Sequence, residues 1–208
     1  MLDPGRDKTV LMSRKELALI LRSLGEALKE NIRNSEKMIQ ADCLWYNGYY
    51  DNCGRRVEDL DEGRVMLTSG VFTIMSGVAA DDELDGLIRT ADRYLLRKDR
   101  GGYCLNTRFR DEEYYAANMG RAFGFAYGQK ENGAVFCHMA VMYAYALKKR
   151  GRKAEADRVI RALYEASLGF EMSRMYPGIP EYFDLEGRGM YPYLTGAASW
   201  LLLYMFED

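Results

Sequence analysis

Two kinds of helical segment alternate along this chain, and that alternation narrows the fold more than any other feature. Segments 65–79, 134–149 and 194–206 are apolar around most of a helical circumference, so each needs neighbours on nearly every side. Segments 13–31, 82–97 and 153–168 carry a single apolar stripe. It is formed by Leu17, Ile20, Leu21, Leu24 and Leu28 in the first, by Leu84, Leu87, Ile88, Ala91, Tyr94 and Leu95 in the second, and by Ala154, Val159, Ile160, Leu163 and Tyr164 in the third. Two concentric rings of helices require this pattern, with the inner helices covered and the outer ones wet on one side. The expectation is one all-α domain over residues 1–208, with about six helices, inner and outer in turn. No repeat period is visible, which favours a toroid over a regular solenoid.

Local signals refine the outline. Ser13 with Glu16 forms a capping box at the start of the first helix. Residues 42–51 are aromatic and lack a helical period, which predicts a short strand or extended segment turning at Asn52-Cys53-Gly54-Arg55. Asp81 or Asp82 is expected to cap the helix that follows. Residues 99–132 and 169–189 show no sustained period, and long loops inside a compact chain are usually functional. The net charge of −2 gives no pull toward nucleic acid or anionic lipid, and no apolar run is long enough to span a bilayer. No signal peptide is expected ahead of the first charged stretch. Cys43, Cys53, Cys104 and Cys137 form no close pair, so the expectation is no metal site and reduced thiols in a cytoplasmic protein.

The composition departs from the ordinary in its 16 tyrosines. A phenol offers a flat apolar face and a hydroxyl, which suits a sugar ring, although any single tyrosine serves equally well at the edge of a core. His138 is the only histidine and stands near the start of an apolar helix, just after Lys130-Glu131-Asn132-Gly133. Thr195-Gly196 opens the last helix. A hydroxyl, a glycine that admits an oxyanion to the backbone, and free N–H groups at a helix start together make an anion site; a plain helix cap explains the same pair. Glu131, Glu181, Asp184 and Glu186 are candidate carboxylates that spacing alone does not rank. No GxSxG, HExxH or nucleotide phosphate loop is present.

Four segments in order carry a resemblance. Trp45-Tyr46 with Tyr50-Asp51 and Gly54-Arg55, then Ser76-Gly77-Val78-Ala79, then Lys130-Glu131-Asn132-Gly133 with Phe136 and His138, then Leu194-Thr195-Gly196-Ala197-Ala198-Ser199-Trp200 after Gly187-Arg188-Gly189, resemble the cellobiose phosphorylase family, glycoside hydrolase family 94. The resemblance covers residues 40–204 and implies part of an (α/α)6 toroid. It also implies inverting phosphorolysis of a β-linked glucoside to an α-sugar 1-phosphate, with inorganic phosphate as co-substrate and no cofactor. By the same resemblance His138, Thr195 and Gly196 hold phosphate and Lys130 contacts the acceptor-side sugar.

The departures are part of the reading. The family's catalytic aspartate lies in a WND-type segment that Met1-Leu2-Asp3-Pro4 does not match, and its phosphate arginine lies further upstream. The general acid is therefore expected outside this chain, which alone is expected to be inactive, its partner being the missing N-terminal part or a second copy. The family's Gln-x-Trp is replaced by Gly70 and Phe72, and an arginine of the aromatic segment by Gly48, so the acceptor sugar is expected to differ from that of cellobiose. The segment 180–191 is closer to the branch acting on β-1,2-linked glucans. The competing readings are a non-catalytic helical scaffold and another α/α-toroid hydrolase that uses two loop carboxylates.

Overall fold

The computed structural model describes residues 11–176, 178–193 and 195–207. The readings placed on Met1-Leu2-Asp3-Pro4 and on Leu194 therefore lie outside the described residues. Helix α1 (Arg14–Glu36) opens as its sequence dictates: the Ser13 hydroxyl accepts from Glu16 N–H at 3.2 Å, and the Glu16 carboxylate accepts from Ser13 N–H at 2.9 Å. The helix ends just past the expected end at Asn31 to Ser35 and leads into a hairpin of β1 (Lys37–Gln40) and β2 (Cys43–Tyr46). The aromatic segment is thus a strand, and it buries Trp45 and Tyr46.

Helix α2 (Leu67–Met75) is followed by Ser76 and by Gly77 at φ 71°, the left-handed residue that ends a helix without steric cost. Helix α3 (Leu84–Tyr94) starts after a short 3₁₀ turn. Neither Asp81 nor Asp82 caps it. Glu83 is the N-cap position of α3 but makes no side-chain cap there; its carboxylate accepts from Ala80 N–H at 2.8 Å, at the start of the 3₁₀ turn.

The two long irregular segments hold short elements. β3 (Leu96–Arg97) takes the last residues expected in the helix, and the first irregular segment holds β4 (Gly102–Tyr103) and α4 (Glu112–Asn118). After β5 (Val135–Phe136) come the two best-predicted helices, α5 (Cys137–Lys149) and α6 (Lys153–Leu168). The second irregular segment holds α7 (Phe170–Ser173), β6 (Tyr182–Phe183) and β7 (Gly189–Met190), and α8 (Gly196–Phe206) ends the described chain. Six main helices carry the fold, with two short ones added among the described residues.

Helix α5 is the hub. It packs on α2, α6 and α8, and Ala140, Val141, Tyr143, Ala144 and Leu147 are buried. That is the inner position its all-round apolarity requires. The other two expected inner helices differ from each other. Six residues of α2 are buried, but only Ala197 and Tyr204 of α8 are. One side of α8, with Leu202, Leu203, Met205 and Phe206, is exposed.

Helix α1 also departs from expectation, because its stripe is not buried: Leu24 is 61% and Leu28 62% exposed. The helix is docked at its C-terminal end, where the Arg33 guanidinium donates to Val78 O at 2.5 Å and Gly77 O at 2.8 Å. No described element lies against its leucine face. On α6, Ala154 and Tyr164 are exposed rather than inward, because the helix turns Ala156, Val159 and Leu163 toward α5. No helix among the described residues is long and apolar enough to cross a membrane. The alternation of covered and one-sided helices therefore holds for α2, α3, α5 and α6, while α1 and α8 each leave an apolar face exposed.

Candidate functional site

A three-stranded sheet gathers the predicted site. β6 lies between β5 and β7, all antiparallel, pairing Val135 with Phe183, Phe136 with Tyr182, and Tyr182 with Met190. The hairpin between β6 and β7 is set by buried Asp184. Its carboxylate accepts from Glu186 N–H at 3.0 Å, from Arg188 N–H at 2.9 Å and from Arg188 Nε at 2.8 Å. This use removes Asp184 from the list of candidate catalytic carboxylates. Cys137 N–H donates to Glu181 O at 3.0 Å, which ties the start of α5 to the strand that leads back toward α8.

His138 is the second residue of α5, and Gly196 is the first of α8. The imidazole lies flat enough on Gly196 that an added Cβ there would come within 2.6 Å of Cε1 and Nδ1. Glycine is therefore required by close approach, and the first turns of two helices are held side by side. Thr195 caps α8, its hydroxyl accepting from Ala197 N–H at 3.1 Å. The cap explanation of Thr-Gly is thus correct, and the same residues sit against the only histidine. The Trp200 ring backs the imidazole at 6.3 Å between centroids. Partial burial holds the His138 pKa below its ordinary value, so the ring is neutral at neutral pH and one nitrogen carries a proton to donate. The starts of two helices, whose dipoles are positive there, thus meet beside one imidazole.

Lys130 lies on the other side of the sheet's first strand in sequence, in a tight turn. Gly128 N–H donates to Asn132 O at 2.6 Å and Asn132 N–H to Gln129 O at 2.9 Å. Lys130 takes φ 46°, a left-handed conformation that a lysine adopts only when its surroundings impose it. Tyr191 does the same at φ 56°, and the Lys130 ammonium lies 4.3 Å from the centre of the Tyr191 ring. Phe125 lies 5.8 Å from the same ammonium, and Glu181 Oε2 lies 4.0 Å from it. Tyr182 and Tyr193 flank Tyr191 at 6.1 and 5.8 Å. Of these tyrosines Tyr191 and Tyr193 are exposed, whereas Tyr182, like Tyr46, Tyr103 and Tyr143, is buried.

Sequence reasoning passed over the residue that pins the turn. Asn106 is fully buried. Its amide donates to Asn132 Oδ1 at 3.1 Å and Thr107 O at 2.9 Å, and its oxygen accepts from Gly133 N–H at 2.8 Å. Asn106→Ala is expected to cost about 2 kcal/mol, since it orphans a buried N–H and a buried amide oxygen. Amide hydrogen exchange of residues 128–133 should accelerate while that of α6 stays slow.

The positions where this chain departs from the resembled pattern also have a structural account. A Cβ at Gly48 would meet Ser69 Oγ at 2.3 Å, and one at Gly70 would meet the Trp45 ring at 2.3 Å. Ser69 and Trp45 occupy the space that longer side chains would take. Gly48, Ser69 and Phe72 then line a cavity of about 320 Å³ with Glu36, Tyr50 and Ser76; neither Lys130 nor His138 borders it. Among the described residues no group of three or more His, Cys, Asp or Glu could hold a metal ion.

Comparison with known proteins places these features in a lineage. The family described as glycosyl hydrolase 94 superfamily, catalytic domain, matches residues 21–208. The chain is 26% identical to solabiose phosphorylase of Paenibacillus borealis over 171 residues, 76% of this chain and 21% of that protein. It is 24% identical to cellobionic acid phosphorylase of Neurospora crassa over 174 residues, 76% of this chain and 21% of that protein. It is 30% identical to 3-O-beta-D-glucopyranosyl-beta-D-glucuronide phosphorylase of Paenibacillus borealis over 187 residues, 78% of this chain and 22% of that protein. The chain spans about a fifth of the length of the curated relatives it matches.

Proposed function

The chain belongs to the glycosyl hydrolase 94 superfamily, and from that premise we propose that it is the C-terminal part of the catalytic domain of an inverting phosphorylase acting on a β-linked glucoside. In this reading the helices form part of an (α/α)6 toroid. The exposed faces of α1 and α8 would be the two edges where the rest of the ring, or a second copy, adds to it. Unpaired Cys43, Cys53, Cys104 and Cys137 accord with a cytoplasmic place.

The observation that carries the proposal is the His138 ring seated on Gly196 at the shared start of α5 and α8. Neutral His138 donates one N–H to phosphate, and the start of α8 supplies its dipole and the N–H groups that Thr195 does not already take. Held there, phosphate is already an anionic nucleophile and needs no second carboxylate. Its attack on the anomeric carbon is assisted by an acid that protonates the leaving oxygen from the opposite side. Lys130, Tyr191 and Phe125 receive the acceptor-side sugar. The acid is an aspartate outside these residues.

The test is production of glucose 1-phosphate from cellobiose, laminaribiose or sophorose with inorganic phosphate. The chain alone is expected to give none, since general acid catalysis contributes on the order of 10²–10⁴ and the missing positioning contacts more. A longer polypeptide carrying the aspartate segment should turn over, and should lose that activity in His138→Ala. Turnover at ordinary enzyme rates by the chain alone would place an acid within it and refute the proposal. Cleavage that proceeds equally well without phosphate would favour a hydrolase instead.

A further inference from the structure

Five arginines border one cavity of about 370 Å³ that lies between residues 51–64 and 108–115: Arg55, Arg56, Arg64, Arg108 and Arg110. The carboxylates of its wall are Asp51, Glu62 and Asp111, so the lining is net positive in a chain whose net charge is −2. A concave wall of one prevailing sign focuses its field into the space it encloses. Neither His138, Gly196 nor Lys130 borders this cavity.

Local contacts set the guanidinium groups in place without neutralising all of them. Arg64 Nε donates to Val57 O at 2.7 Å, and its other nitrogens meet Glu62 and Asp59. Arg56 is held by Ser35 O and lies 3.6 Å from Glu36. Arg108 Nε donates to Glu112 at 2.6 Å. Arg55 and Arg110 make no ion pair among the described residues, and both are exposed to the cavity they line. Arg55 instead lies 5.6 Å from the centre of the Tyr114 ring, whose hydroxyl is fixed to Asp51 at 2.5 Å. Stacking on a ring orients a guanidinium and leaves its N–H donors unspent.

The acidic groups are occupied to different degrees. Asp51 accepts from Cys53 N–H at 2.8 Å and Arg55 N–H at 2.9 Å as well as from Tyr114, so it belongs to the turn. Asp111 caps α4 with Oδ1 alone, accepting from Tyr114 N–H at 3.1 Å. Its second oxygen is an acceptor open to a hydroxyl.

The geometry points to a binding site in this cavity for a small polyol that carries one oxyanion, a phosphate or a carboxylate, gripped by Arg55 and Arg110. Guanidinium forks match such oxyanions with paired, charge-assisted hydrogen bonds. Three carboxylates in the same wall disfavour a polyanion and suit hydroxyl donors. The volume falls in the roughly 300–1,000 Å³ range of small-molecule sites. The inference is independent of the phosphorylase reading, since it uses none of the residues assigned there.

The test titrates D-glucose 6-phosphate, D-glucuronate and D-glucose, which differ only at C6, into the 208-residue chain, by calorimetry and by amide NMR. At least one of the two anions should bind at least about ten-fold more tightly than glucose, the scale of one charge-assisted contact. The tighter of the two identifies the oxyanion. That binding should weaken as ionic strength rises. It should also weaken about ten-fold in Arg55→Gln and in Arg110→Gln, whose thermal midpoints report that they fold. In the wild-type chain the amides of 51–56 and 108–115 should shift with the anion, and should still shift in His138→Ala. That map decides if neither arginine variant folds. Glucose binding as tightly as either anion, affinity unchanged in both folded arginine variants, or unmoved amides at 108–115 would overturn the inference.

Discussion

Replacing Glu58 by alanine is expected to destabilise the fold by roughly 3–5 kcal/mol, a large share of the 5–15 kcal/mol that holds an ordinary domain together. Glu58 is 1% exposed. Its Oε1 accepts from Trp45 Nε1 at 2.8 Å and Met66 N–H at 2.9 Å; its Oε2 accepts from Gly48 N–H at 2.6 Å and from the Ser69 hydroxyl. Removing the carboxylate orphans all four donors and leaves a cavity between β2 and α2. Denaturant unfolding should show a lower midpoint with an unchanged slope. An unchanged midpoint would mean that the network is not formed.

The same residue gives a pH signature. Burial pushes the Glu58 carboxyl from 4.5 up to about 7, against the pull of its four donors. The native state thus holds this proton more tightly than the unfolded chain does. Between pH 4.5 and 7 the native state binds more protons, so stability contributed by this group is fully present below about 4.5 and declines as pH rises through 7. The decline is roughly 3 kcal/mol. Glu58→Gln should flatten that slope, at a cost of about 1–3 kcal/mol for an amide hydrogen that faces a donor.

Gly196→Val is expected to weaken phosphate binding about 100-fold, on the scale by which small displacements at a reacting centre cost activity. The new Cβ would need the place now held by the His138 ring, 2.6 Å from Cε1 and Nδ1, so the imidazole must swing away. Global stability should change little, because Gly196 is exposed at the start of its helix. Thr195→Ala separates capping from binding. Loss of the cap alone costs about 1 kcal/mol of stability, so a larger effect on phosphate affinity would assign the hydroxyl to the anion as well. Calorimetric titration of phosphate into wild type and both variants measures the difference.

The helices were legible to the extent that their own residues decide them. α6 matches its expected bounds, because the turn at Gly151 and the break at Gly169 frame a clear stripe. α1 was legible as a helix from its capping box. Its leucine stripe, though, says only that a partner is wanted and not that the described chain supplies one. β5, β6 and β7 are two residues each, too short for any period to show, and they form only because the sheet brings distant segments together.

The site divides in the same way. His138, Thr195, Gly196 and Lys130 came from motif order, while spacing alone left Thr195 a plain cap. Asn106 was out of reach, since its role depends on partners 26 or more positions away, such as Asn132, while Glu181 was named only as one of four unranked carboxylates. Nothing ranked it above Asp184 until the hairpin claimed the latter.

The central claim is that the only histidine shares an anion site with the start of α8, and one titration tests it. His138 gives a single imidazole resonance set, followed by NMR as inorganic phosphate is added at fixed ionic strength. The account predicts a saturable shift with a rise in the His138 pKa from its depressed value, because a bound anion favours the charged ring. The same titration of Gly196→Val should leave the resonance unmoved. A His138 resonance indifferent to phosphate in the wild-type chain, or one that responds equally in Gly196→Val, would contradict it.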